Sequence, residues 1–116
     1  MHELSIVSSI VDSVTESLAA YPGARVKEVR LRVGVLASVV EDSLQFCYGI
    51  ATEDTRLAGS ALIVKNLPIV AFCSKCNAEV ELPGVQSFRC PLCDEPVSGL
   101  RQGRELEIES IEIEEV

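Results

Sequence analysis

Four of the five cysteines in this 116-residue chain stand in two identical pairs, Cys73-x-x-Cys76 and Cys90-x-x-Cys93. Each pair can turn as a tight knuckle that aims two thiolates at one point, and two knuckles close a tetrahedral tetrathiolate around zinc. Thirteen residues separate the pairs, a loop slightly shorter than is usual for this pattern but within the span of a small ribbon. Four thiolate ligands leave the metal no open position for water, so the expected site holds shape and does no chemistry. The same ligand set accepts iron, which is the alternative ion. A secreted disulfide scaffold would need an export signal, and Met1-His2-Glu3-Leu4-Ser5 lacks a basic region followed by an apolar core; the expectation is a cytoplasmic chain with reduced thiols. A thioredoxin-like dithiol would show one pair beside a parallel-sheet unit, whereas two pairs occur here. Cys47, within Leu44-Gln45-Phe46-Cys47-Tyr48, reads as a small buried hydrophobe.

Length allows one ordinary core, or a modest core with a metal-stapled appendage, and the cysteines favour the second. A hydrophobic content of 47% and a mean hydropathy of +0.27 indicate a folded globular protein, with polar residues scattered too evenly for a membrane span. The formal charge of -8 is unevenly placed. Residues 1–67 hold six basic against eight acidic residues, 68–100 two against four, and 101–116 two against six. Four thiolates on one zinc ion add two further negative charges to the middle segment. A ribbon that binds nucleic acid needs a basic face to neutralise phosphates, and Lys75 with Arg89 is too little. Neither nucleic acid nor a membrane is expected as a partner.

Leu4, Val7, Val11, Val14 and Leu18 recur at steps of three and four, a helical stripe widened by Ile6 and Ile10 and stopped by Tyr21-Pro22-Gly23. From Val26 to Val35 the period becomes two, with Val29, Leu31, Val33 and Val35 on one face of a half-buried strand. Glu41-Asp42-Ser43 offers caps and negative charge to a second helix, in which Leu44, Cys47, Tyr48 and Ala51 share a face; Gly59 ends that region. Ala61 to Leu67 reads as a strand stopped by Pro68. In the last segment Leu106 and Ile108 have one parity and Ile111 and Ile113 the other, so a bulge near Glu109 and Ser110 is needed for a single buried face. The alternative is a strand covered on both sides. The expected fold is α+β: a small three-stranded sheet with two helices, and a zinc-ribbon lobe inserted between the second and third strands. The lobes are expected at 1–67 with 101–116, and at 68–100.

His2 is the only histidine in the chain. A bulky second residue discourages removal of the initiator methionine, so Met1 is expected to stay. The Met1 amine, the His2 amide nitrogen and the His2 imidazole then form a chelate suited to square-planar Ni(II) or Cu(II) and not to tetrahedral zinc, with Glu3 as a neighbouring oxygen donor. The plain alternative is an idle surface histidine.

Taken with Val33-Gly34, Leu44-Gln45-Phe46-Cys47, Cys90-Pro91-x-Cys93 and Gly103-Arg104-Glu105-Leu106-Glu107-Ile108, this start makes the chain resemble the HypA/HybF family of hydrogenase maturation proteins, the nickel-insertion metallochaperones. The resemblance covers the whole chain. It implies a nickel-binding lobe of two helices and three strands with a tethered zinc lobe, and nickel cargo carried from a partner GTPase toward the large subunit of a [NiFe]-hydrogenase. It further implies nickel held at His2 with Glu3 close by, and zinc as a structural ion on Cys73, Cys76, Cys90 and Cys93. Some members add an acidic residue from the loop before the second helix; Val40 stands there in this chain, followed by Glu41 and Asp42. Members that recruit a histidine from the zinc lobe have no counterpart here.

The resulting expectation is a nickel metallochaperone and not an enzyme, a monomer or weak homodimer. No nucleophile with a histidine base, phosphate-binding glycine loop or open zinc site competes with it. Its rivals are a zinc-ribbon interaction module without a functional nickel site and a rubredoxin-like iron electron carrier.

Overall fold

The computed structural model describes residues 3–84 and 87–115. The chain forms two compact units, one of residues 1–31, 39–65 and 107–116 and the other of residues 32–38 and 66–106.

In the first unit, helix α1 (Glu3–Ser17) buries Val7, Ile10 and Val14, and a 3₁₀ turn carries Leu18 into the same core. The buried stripe is therefore shifted from the sequence expectation: Leu4 is 58% exposed, and Ile10 takes its place. Strand β1 (Arg25–Gly34) buries Val29, Leu31 and Val33 as the two-residue period requires. It stops one residue early, because Val35–Ala37 turns as a 3₁₀ helix, and Val35 is exposed. Helix α2 (Glu41–Ala51) buries Leu44 and Tyr48 and packs against α1. Cys47 is half-buried where full burial was expected. The helix begins at Val40 without a side-chain cap, so Glu41 and Asp42 act through their charge in the first turn and not as caps. After α2 the chain turns tightly to Gly59, whose positive φ of 78° suits glycine, and enters β2 (Ala61–Leu67).

Arg56 organises this return. Its Nε donates to the Ala24 carbonyl at 2.9 Å and its Nη2 to the Tyr21 carbonyl at 2.6 Å, while the Val26 amide donates to the Arg56 carbonyl at 3.0 Å. A rigid guanidinium fork thus satisfies two carbonyls of the turn ahead of β1.

Strands β2, β1 and β6 (Leu106–Glu114) form a sheet in the order β2-β1-β6. Along β6, Leu106, Ile108, Ile111 and Ile113 are half-buried and Glu107, Glu109, Glu112 and Glu114 exposed. Arg30 Nη1 donates to Ser110 Oγ at 3.2 Å, and Ser110 and Ile111 are both half-buried, so the alternation of burial slips by one residue there.

In the second unit, β3 (Val70–Cys73) pairs antiparallel with both β4 (Ala78–Glu81) and β5 (Gly99–Gln102). Its core is small: Ile69, Ala71, Cys73, Val80, Leu82 and Cys90, with Leu36, Val97 and Leu100 against it. Gly34 and Gly103 cross at close range here. A Cβ on Gly34 would lie 2.1 Å from the Gly103 carbonyl, and the Leu36 amide donates to that carbonyl at 2.7 Å. Only a residue without Cβ fits the crossing.

Candidate metal centre

The four paired cysteines come together in the second unit. Cys73 ends β3, and the turn to β4 supplies Cys76, with Cys73 and Ala78 opposed in the antiparallel register. The second knuckle is closed by the Asp94 amide donating to the Cys90 carbonyl at 2.8 Å and the Cys90 amide donating to the Glu95 carbonyl at 2.8 Å. The knuckles share a device: the residue after each closing cysteine, Asn77 (φ 51°) or Asp94 (φ 62°), is left-handed. Asn and Asp tolerate that conformation better than other side chains do.

Cys73 Sγ lies 3.5 Å from Cys93 Sγ and Cys76 Sγ 3.9 Å from Cys90 Sγ, and all four sulfurs lie within 4.8 Å of one another. A tetrahedral zinc ion at about 2.3 Å from each sulfur requires edges of about 3.8 Å, so the set fits zinc. No two cysteines are bonded to each other. Cys73 and Cys90 are buried, Cys76 and Cys93 half-buried. The Cys76 amide donates to Cys73 Sγ at 3.4 Å and the Leu92 amide to Cys90 Sγ at 3.4 Å, contacts that favour thiolate over thiol.

Protons are unevenly held in the metal-free cluster. The Cys76 amide, aided by the neighbouring thiols and opposed by burial, brings Cys73 down to about 7. Hydrogen bonds to Cys93 and Cys73, with burial, push Cys76 up to about 12. At Cys93 the Glu95 backbone lowers the value, but burial and Cys73 raise it further. A bound dication displaces these protons, so metal binding releases acid. Lys75 of the first knuckle pairs with Glu95 beyond the second at 3.7 Å, an exposed pair of little energetic weight.

The other expected site begins at Met1 and His2, which lie outside the described residues. Glu3 is described. It opens α1, and its Oε2 accepts a hydrogen bond from the Val40 amide at 3.3 Å, within the same unit. The start of α1 is thereby tied to the residue that begins α2, one position before Glu41 and Asp42. Sequence reasoning did not find this contact, since nothing in either segment signals a partner 37 residues away.

A family model described as "Hydrogenase/urease nickel incorporation, metallochaperone, hypA" matches residues 1–113. A protein of Chloroflexus aurantiacus named hydrogenase maturation factor HypA is 47% identical over 112 residues, covering 97% of this chain and 98% of its own. One of the same name from Desulfosudis oleivorans is 40% identical over 116 residues, covering 99% and 100%. Among solved structures, that of the Ni metallochaperone HypA from Helicobacter pylori superposes with a TM-score of 0.66 at 19% identity over the full length of both chains. Another HypA solution structure gives 0.68 at 20% identity, covering 97% of this chain and 96% of its own. At those identities the two structures speak for the fold.

Proposed function

Because the chain belongs to the HypA family of hydrogenase and urease nickel-incorporation metallochaperones, we propose that it binds Ni(II) through the His2 imidazole and amide and the Met1 amine, with Glu3 at the edge of the site. In this reading it works in the cytoplasm as a carrier and not as an enzyme, taking nickel from a nickel-handling GTPase and delivering it to the large subunit of a [NiFe]-hydrogenase. Zinc on Cys73, Cys76, Cys90 and Cys93 is structural.

One observation carries the nickel assignment. The family match begins at residue 1 and so includes Met1-His2-Glu3, and the last of these is fixed by its bond to the Val40 amide. That bond brings the Glu3 carboxylate to the start of α2, one residue before the acidic first turn formed by Glu41 and Asp42. Negative charge there favours a dication, and nitrogen donors at the amino terminus supply the selectivity for nickel. Affinity should rise with pH, because amine, amide and imidazole must all be without their protons to bind.

The test is calorimetric nickel titration of zinc-loaded protein with its authentic amino terminus. His2→Ala is expected to abolish binding while leaving zinc content and circular dichroism unchanged, and an amino-terminal extension should weaken it by converting the amine to a peptide nitrogen. Wild-type nickel affinity in His2→Ala would falsify the assignment and favour a zinc-ribbon interaction module.

A further inference from the structure

The solvent face of α2 does not look like a solvent face. At 3.6 residues per turn, Phe46 points directly away from the buried pair Leu44 and Tyr48, the place where a charged side chain is expected. Phe46 is 70% exposed and Ile50, one turn on, 53%. About 60° round the helix from Phe46, on the side away from Ile50, lies Gly49, in the helix interior, where an added Cβ would have no described heavy atom within 4 Å. Neither a turn nor a close approach inside the chain requires glycine there, and it weakens the helix relative to alanine. The result is an exposed notch at Gly49 with Phe46 as its apolar wall, and Ile50 exposed on the other side of Phe46.

Carboxylates flank this notch at both ends. Glu41 and Asp42 precede it and Glu53 and Asp54 follow it, all exposed, and the last turn of α2 carries no basic residue. Acid beyond a helix C-terminus opposes the helix dipole, so Glu53 and Asp54, unlike Glu41 and Asp42, do not serve the helix itself. It does select an occupant. A second copy, packed parallel or antiparallel across Gly49, would bring carboxylates against carboxylates. An anionic bilayer would be repelled by the same four groups. A helix from a different protein, with apolar side chains that seat on Gly49 beside Phe46 and against Ile50 and with Lys or Arg on either side, satisfies both the shape and the charge. We propose that the Phe46-Gly49-Ile50 face of α2 is a docking surface for a basic-flanked amphipathic helix of a heterologous protein. The assignment uses none of the nickel ligands proposed above.

Two linked measurements test it. First, Phe46 is replaced in cells by p-benzoylphenylalanine and, as a control, so is the exposed Glu16 of α1; photo-crosslinked peptides are identified by mass spectrometry. The expected product joins position 46 to one other protein, at a segment with apolar residues three and four apart and Lys or Arg flanking them. Crosslinking to a second copy, to lipid or to an acidic segment, or a yield no higher than at position 16, overturns the proposal. Second, with that protein purified, Gly49→Leu fills the notch and should weaken the complex by about tenfold or more, as loss of a central anchor site does, while raising thermal stability and leaving bound zinc and nickel unchanged. Stability and binding moving in opposite directions cannot arise from misfolding, and unchanged affinity sinks the idea.

Discussion

Tyr48 shows how one buried residue ties stability to pH. Its hydroxyl lies 2.6 Å from Ser60 Oγ, and burial raises its pKa above that of a free tyrosine, against the smaller lowering by Ser60. An unfolded tyrosine ionises near pH 10. Above about that pH the unfolded chain sheds a proton that the folded chain keeps, so the stabilisation, complete below it, is lost as pH rises through the folded value. Denaturant unfolding between pH 8 and 11 should therefore show a steeper alkaline decline for wild type than for Tyr48→Phe. At neutral pH the variant should be less stable by about 1 kcal/mol, from the lost bond to Ser60, whose hydroxyl keeps its donation to the Leu57 carbonyl. If the two decline in parallel, Tyr48 does not titrate as described. That Tyr48 is buried was legible in the sequence from its spacing to Leu44. Its partner was not, because Ser60 lies across a turn whose path no local pattern reveals. The cysteines were fully legible for the opposite reason: a knuckle is closed within four residues, so spacing alone carries its geometry. The amino-terminal donor set is an expectation from composition alone, because Met1 and His2 lie outside the described residues.

At the scale of elements, the crossing of β1 with the segment before β6 is the least forgiving place in the fold. Gly34→Ala would drive a methyl group into the backbone of Gly103 and Arg104, at 2.1 to 2.6 Å. Backbone has no rotamer to escape into, so the strand end must move, at a cost of at least the roughly 1–3 kcal/mol typical of overpacking. Thermal unfolding should report a clear drop for Gly34→Ala and a small rise for Gly49→Ala; equal effects would mean that the crossing relaxes freely. The element types and their order followed from periodicity, because two-residue and 3.6-residue patterns leave different marks in the burial of β1 and α2. Even the slip in β6 could be counted from the parity of its isoleucines. The ends of elements were less legible. Val35 continues the strand pattern yet turns, since the Leu36 amide is drawn to the Gly103 carbonyl, and Leu4 continues the helical stripe past the edge of the core.

At the scale of the molecule, the two units differ in what sustains them. The first has apolar stripes from two helices and a sheet; the second has a handful of core residues, two of them the metal ligands Cys73 and Cys90. So small a core rarely folds without a staple. Stripping zinc with a chelator should erase the dispersed NMR amide signals of β3, β4 and β5 while those of α1 and α2 remain. Survival of both sets in zinc-free protein, or loss of both together, would show that the division of labour is wrong. The strand order carries one more consequence, for a chain as it is being synthesised. β1 is the central strand, and its partner β6 is made last among the strands, so Arg30 waits for a residue 80 positions downstream. The cysteine unit draws its metal ligands from only 21 consecutive residues, 73–93, and can close first. While the ribosome is still extending the chain, then, one edge of β1 stays bare, and non-local pairing of this kind is slow and open to wrong partners. The glutamates of β6 face that hazard with like charges, which oppose the pairing of two nascent β6 strands with each other.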